Sequence, residues 1–266
     1  MQIWSLSSGS SGNCYLLREG DSLLVVEAGL SALRVVREIE QLGLHHCGVA
    51  GVVVTHEHSD HVSSAMTLAS RLKAPLYCSS GTRMGMEEGR RPVEWFPLKA
   101  GCSLPVGALC IEPFPLPHDA REPVGLVIRA EGAAVCLATD MGSPTEEMIE
   151  AASGADLVIL EANHDPQMLA RGPYPAKLKA RIRGEHGHLS NLEAADSIVR
   201  MARGRPESFW LAHLSDTNNS PGVALSSVRG VLKREGLGNL RVEVAQRNRR
   251  SLHWDSASQL RQLALF

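Results

Sequence analysis

Several features that would each have pointed elsewhere are missing from this sequence. No stretch approaches the ~20 apolar residues needed to cross a bilayer. The start, Met1-Gln2-Ile3-Trp4-Ser5-Leu6, has no basic segment ahead of a long apolar one, so the chain is read as cytoplasmic. None of the cysteines (Cys14, Cys47, Cys78, Cys102, Cys110, Cys136) is spaced as CxxC, and several sit in apolar strand-like runs. Buried reduced thiols are therefore expected rather than disulfides or a thiolate metal site. Repeats and low-complexity tracts are absent, as is any linker long enough to separate domains, so residues 1–266 are read as one compact unit. The net charge of −2 excludes bulk electrostatic attraction to nucleic acid, although it leaves room for a local basic face.

What is present is the patterning of a globular α/β chain. Strand signals recur at residues 3–6, 14–18, 23–26, 52–54 and 76–78, then at 109–114, 124–128, 134–138 and 157–160, and finally at 209–212 and 240–244. Leu33, Val36, Ile39 and Leu42 recur at helical spacing, with Gly43 as a stop. Ser190 and Glu193 form a capping box ahead of an amphipathic run, and Ser220-Pro221 opens a second helix. Strand-rich stretches followed by helices predict an αββα sandwich of two mixed β-sheets with helices on the outer faces. Residues 166–184 stand apart: they carry Arg171, Lys177, Lys179, Arg181 and Arg183 and no acid. Pro173-Tyr174-Pro175 marks the first part as an ordered loop, and the cations suit a surface flanking an anionic substrate.

The densest chemistry is Thr55-His56-Glu57-His58-Ser59-Asp60-His61, directly after the apolar run 51–54. Three histidines and an aspartate within six positions need a compensating cation if they are buried together, and imidazole with carboxylate is a donor set for divalent metals. Alternation on a tight loop would send His56 and His58 to one ion and Asp60 and His61 to a second. Further ligands are sought just past other strands, where α/β proteins gather active-site groups. His118, Asp140 and His213 occupy such places.

In order, THEHSDH, His118-Asp119, Thr139-Asp140 and Ala212-His213-Leu214 resemble the metallo-β-lactamase fold superfamily. Within it, Ser8-Gly9-Ser10-Ser11-Gly12-Asn13, Pro115-Leu116-Pro117-His118-Asp119-Ala120, Leu160-Glu161-Ala162-Asn163-His164-Asp165, Gly172-Pro173-Tyr174-Pro175 and Gly187-His188-Leu189-Ser190-Asn191 are similar to the YycJ/WalJ family. The resemblance spans roughly residues 2–245. It implies a metal-dependent phosphodiester hydrolase, a 5′→3′ exonuclease acting on DNA rather than RNA. Two divalent ions, Zn²⁺ or Mn²⁺, are implied: His56, His58 and His118 on one, Asp60, His61 and His213 on the other, and Asp140 bridging. His188 is implied as the general acid or phosphate clamp, oriented by Glu161 or His164.

The loop at residues 7–13 is not a P-loop, since no Gly-Lys-Ser/Thr follows. By the resemblance, Ser10, Ser11, Gly12 and Asn13 contact phosphate through backbone N–H groups. His164, Arg171, Lys177, Arg181 and Asn218 are further candidate substrate contacts. One position departs from the family: Val26-Glu27-Ala28-Gly29 stands where Asp-Ala-Gly is usual, which puts the support of one ligand in question.

Competing readings are a small-molecule phosphodiesterase or thioester/lactone hydrolase on the same metals, and a non-catalytic nucleic-acid-binding or regulatory scaffold. The basic segment favours a phosphate polymer, and a thioesterase has no need of His188. A scaffold has no reason to keep the whole ligand set. No insertion of cap-domain size is visible.

Overall fold

A computed structural model of the chain describes residues 1–258 apart from 88, 90, 205 and 207. The tail beyond Ser258, with Leu260, Leu263, Leu265 and Phe266, lies outside the described residues. Two mixed seven-stranded sheets face each other. The first contains β1 (Gln2–Ser7), β2 (Cys14–Glu19), β3 (Ser22–Val26), β4 (Gly48–Val53), β5 (Leu76–Cys78) and β6 (Trp95–Pro97). The second runs through β7 (Leu104–Val106), β8 (Leu109–Pro115), β9 (Val124–Ala130), β10 (Ala133–Ala138), β11 (Leu157–Glu161), β12 (Ser208–Ala212) and β13 (Arg241–Val244). The last strand, β14 (Leu252–Asp255), returns to pair with β1 on the edge of the first sheet.

Each strand's alternation divides its side chains between two cores. On β3, Leu24 and Val26 pack between the sheets with Val135, Leu137, Ile159 and Trp210. Its Leu23 and Val25 point outward, onto a cluster with Val35 and Ile39 of α1 (Ala32–Gln41) and Leu68 of α3 (Ala65–Leu72). On β10, Ala134, Cys136 and Ala138 face the other way, toward α5 (Glu146–Ser153), α8 (Asn191–Met201) and α9 (Pro221–Arg234). Three stacked cores make the four-layer sandwich that the sequence predicts. The remaining helices are short: α2 (Ser59–Val62), α4 (Ser80–Gly85), α6 (Pro166–Arg171) and α7 (Ala176–Ile182).

Both helix starts behave as expected. Ser190 and Glu193 make the reciprocal capping box, and the Ser220 side chain accepts from the Val223 amide. The basic segment differs from expectation. Its first part is helix α6, because Asp165 caps the Gln167 and Met168 amides and Pro166 sits where no amide donor is needed. The loop contracts to residues 172–175, and α7 follows it directly. All six cysteines are free, and Cys102 is exposed rather than buried.

Sheet direction explains where the site lies. The strands β3, β4, β5 and β6 are parallel to one another, as are β10, β11, β12 and β13. Their carboxyl ends open on one edge of the sandwich, and β1 and β8 end there too through two antiparallel steps each. The segments leaving these ends carry the candidate ligands. Among the described residues, no helix is long and apolar enough to cross a membrane.

Candidate metal centre

His56 follows β4 after two residues, and the chain then turns into the single helical turn α2, with His58 at its N-cap and Asp60 and His61 within it. That turn, rather than strand-like alternation, separates the first two histidines from Asp60 and His61. It is clamped from below. The Asn13 amide donates to the Asp60 carbonyl at 2.8 Å and the Ala28 amide to the His61 carbonyl at 2.7 Å. Gly29 packs so closely that an added Cβ would lie 1.8 Å from the Asp60 carbonyl oxygen, so only glycine fits.

Asp140 and His213 follow β10 and β12 with φ of 63° and 52°, and Glu27 follows β3 with φ of 64°. Left-handed backbone at a non-glycine residue costs on the order of 1–3 kcal/mol. Three such residues, at the ends of β3, β10 and β12, concentrate that strain on the residues that build the site. Hydrogen bonds hold them there: Ser8 Oγ accepts from the His213 amide at 2.8 Å, and Asn163 Nδ2 donates to the His213 carbonyl at 3.0 Å.

The side chains gather into sets. His56, His58 and His118 present ligand atoms within 4.8 Å of one another, as do Asp60, His61 and His213; Asp140 forms a third such group with His56 and His61, and a fourth with Glu161, His188 and His213. Asp140 Oδ2 is 3.1 Å from His61 Nε2, and Asp140 Oδ1 is 3.1 Å from His213 Nδ1. Asp60 Oδ2 is 3.2 Å from His213 Nε2.

These residues fit divalent cations on three counts. His56 Nε2 and Asp140 Oδ2 are buried with no hydrogen-bond partner. The nitrogens His58 Nδ1 and His118 Nε2 face each other at 3.3 Å, where one must present a lone pair to the other's proton unless a cation takes both. Asp60, Asp140 and Glu161 find their ion-pair partners among histidines, and carboxylates this buried need positive charge.

Supporting groups fix the ring nitrogens that face away. Thr55 Oγ1 lies 3.0 Å from His56 Nδ1, and the Gly187 carbonyl 3.1 Å from His118 Nδ1. Glu27 Oε2 comes within 3.2 Å of His61 Nδ1, with both side chains fully buried. The extra methylene relative to aspartate thus still delivers a carboxylate behind His61, though out of line for a hydrogen bond. Glu161 Oε1 is shared, 2.9 Å from His213 Nδ1 and 2.8 Å from His188 Nδ1. Its Oε2 accepts from the Met141 and Leu189 amides at 3.1 Å each.

Electrostatics follow from this packing. Burial opposes ionisation of Glu161, but His188 and His213 outweigh it and pull its pKa down to about 2. Burial likewise disfavours protonated His61, yet Glu27, Asp140 and Asp60 hold its pKa well above the usual value. His213 behaves the same way through Asp140, Asp60 and Glu161. His56, dominated by burial and then by the charge of His61, is pushed well below.

A pH prediction follows for the metal-free protein. A raised folded pKa gives stability that is complete below the unfolded value of 6.5 and lost as pH rises through the folded one. The depressed carboxylates Asp60, Asp140 and Glu161 add stability above their unfolded values near 4, lost as pH falls below them. EDTA-treated protein should therefore lose melting temperature as pH rises into the alkaline range, and metal-loaded protein should not. Thermal melts of both forms across pH check this; parallel curves would contradict it.

A cleft of about 260 Å³ opens over the centre, lined by Asp60, Asp140, His188 and His213 at its floor and by Ser10, Asp119, Tyr174, Leu178 and Arg181 among its walls. Of the candidate substrate contacts, Ser10 and Arg181 line it. Asn13 lies in the floor's support, its Nδ2 3.0 Å from His61 Nε2 and its Oδ1 accepting from the Gly9 amide. Ser11 turns away to Asn248, and Gly12 packs on the Gly29 carbonyl. Buried His164 and Asn218 do not line the cleft, and neither do exposed Arg171 and Lys177. Between the two orienters considered for His188, the contact is with Glu161. His45, His46, His186 and His253 are exposed, and none of them lines the cleft. The sequence reading missed Asp119, whose Oδ1 is 3.5 Å from His118 Nε2 and whose Oδ2 accepts from Arg181 Nε at 2.5 Å. Its place next to His118 was the available signal.

Comparison with known proteins shows the family. Residues 24–214 match the family model described as the Beta-lactamase superfamily domain. A curated relative from Bacillus anthracis, called exodeoxyribonuclease YycJ, is 34% identical over 88% of this chain and 89% of its own. Another from Streptococcus pneumoniae, called exodeoxyribonuclease WalJ, is 31% identical over 88% of each chain. Among solved structures, the metallo-β-lactamase fold protein YhfI from Bacillus subtilis superposes with a TM-score of 0.71 at 16% identity, covering 96% of this chain and 100% of that one. This chain belongs to the beta-lactamase superfamily, as a metal-dependent hydrolase of the metallo-β-lactamase fold similar to YycJ and WalJ.

Proposed function

We propose that the chain hydrolyses DNA from an end in the 5′→3′ direction, with two divalent ions, Zn²⁺ or Mn²⁺, in one undivided hydrolase unit without a cap domain. One observation carries the reading. Two three-residue donor sets linked by Asp140 lie under an open cleft, and His188, grouped with Asp140, Glu161 and His213 and not with either set, lines that cleft with its Nδ1 on Glu161. The names of the curated relatives supply the substrate class.

His56, His58 and His118 would hold one ion and Asp60, His61 and His213 the other, with Asp140 placed to serve both sets. When bound, such a pair supplies an activated water and neutralises charge on the phosphate. The chain's own residues do the rest. Glu161, fixed by two backbone amides, anchors His188 through Nδ1 and leaves Nε2 to the cleft. Burial alone would disfavour protonated His188, but Glu161 and Asp140 raise its pKa above the usual value. A protonated ring at that place can deliver a proton to the leaving sugar oxygen. Arg181 brings a cation to the rim, steadied by Asp119, where it meets a phosphate oxygen.

Digestion of 5′- and 3′-labelled single- and double-stranded DNA and RNA in Mn²⁺ tests the reading. Release of 5′-terminal product from DNA is expected. Hydrolysis of a glutathione thioester with intact DNA would overturn it.

A further inference from the structure

Tyr174 has an unusual place. Every other Trp, Tyr and Phe among the described residues lies in a strand: Trp4, Tyr15, Tyr77, Trp95, Phe96, Phe114, Phe209, Trp210 and Trp254. Tyr174 alone sits on a loop, half-buried, in the wall of the cleft over the metal centre. No hydrogen bond ties its hydroxyl to the described residues, so the ring is not there to complete a polar network.

The loop that carries it is rigid. Pro173 and Pro175 flank the tyrosine and fix φ on either side, with Pro175 also serving as the N-cap of α7. Gly172 closes α6 through a 2.7 Å hydrogen bond from its amide to the Met168 carbonyl. A Cβ there would lie 2.6 Å from Asn218 Oδ1 and 2.8 Å from the Met168 carbonyl oxygen, so the turn is pressed against buried Asn218. The Asp165 amide also donates to the Asn218 carbonyl at 2.9 Å, binding the start of α6 to the same support. An aromatic ring on a fixed backbone loses little freedom when a ligand packs on it.

What shares the wall defines the ligand. Leu178, Arg181 and Ile182 of α7 line the same cleft, so an apolar surface and one guanidinium adjoin the ring. A flat apolar face next to a cation, above a centre suited to phosphate, matches one nucleotide: base on the ring, phosphate at Arg181 and the metals. We infer that Tyr174 is a stacking platform for the base of the terminal nucleotide, and so a positioning residue that sets the end of the strand over the scissile phosphate. This rests on the nuclease reading above and deepens it. Base–aromatic stacking is tolerant of base identity, because every base has a π-face. The platform therefore selects for the presence of an unpaired terminal base and not for its sequence.

The test compares two DNA oligonucleotides in Mn²⁺, one ordinary and one with abasic tetrahydrofuran residues at both termini. The wild-type protein should cleave the ordinary end with kcat/KM about tenfold or more above the abasic end, the scale that one lost stack predicts. In Tyr174→Leu the ratio should fall close to one, and in Tyr174→Phe it should persist, since the ring and not the hydroxyl carries the contact. Equal cleavage of both oligonucleotides by the wild type overturns the platform while leaving the nuclease reading standing, whatever the variants do. A ratio kept in Tyr174→Leu overturns it as well. Failure to cleave either oligonucleotide would remove the nuclease reading and the platform together.

Discussion

Replacing Asp140 by alanine is expected to cut phosphodiester hydrolysis by at least about a thousandfold, because several kcal/mol of transition-state stabilisation depends on the cations it helps to hold. Asp140 is the side chain common to the two halves of the centre. Its oxygens reach His61 and His213 of the second donor set, and it groups with His56 of the first. Its carboxyl is held well below the usual range: burial opposes the charge, but His213 and His61 outweigh that, so it is an anion ready for a metal. The residue also has positive φ, where alanine adds strain of its own. Asp140→Asn is the cleaner comparison, since asparagine tolerates the left-handed region and keeps the shape while removing the charge. Both variants should bind fewer ions than the wild type by elemental analysis. Full metal content with lost activity would assign Asp140 to the reaction and not to the site's assembly.

The second large effect concerns His188. His188→Ala should lower kcat on DNA by about a hundredfold to ten-thousandfold, the range typical of a lost general acid, with metal content unchanged. The same variant should lose little activity on bis-p-nitrophenyl phosphate, because a nitrophenolate departs without needing a proton. Loss of metal in His188→Ala would move it into the ligand set, and an equal loss on both substrates would remove the acid role. Glu161→Gln should disturb more than His188 alone, since one carboxylate oxygen serves both His188 and His213.

Much of this site was legible in the linear sequence for a physical reason. Ligand-rich segments directly follow apolar strands, and strand ends are where an α/β architecture lets loops converge. His118, Asp140 and His213 could be picked out by that rule, and the structure brings all three to one edge. The αββα layering was legible too, because strand-rich stretches are followed by helices, and the structure packs them as two facing sheets with helices outside.

Other features were hidden because they depend on contacts distant in sequence. The resemblance gives Ser10, Ser11, Gly12 and Asn13 of the 7–13 loop a phosphate contact, yet Gly12 and Asn13 spend their contacts on Gly29, Asp60 and His61. Nothing local to Asn218 shows that it braces Gly172. The pairing of Asp119 with Arg181 spans 62 positions. The cations of residues 166–184 looked alike as a run, but only Arg181 turns into the cleft, because the break at residues 172–175 sets the phase of α7.

Titration of the EDTA-treated protein with Mn²⁺ or Zn²⁺, read by calorimetry and elemental analysis, counts the ions that the centre holds. Two ions bound per chain, with one lost in Asp140→Asn, is the predicted result. A single ion per chain, or full hydrolysis by protein shown to be metal-free, would contradict it.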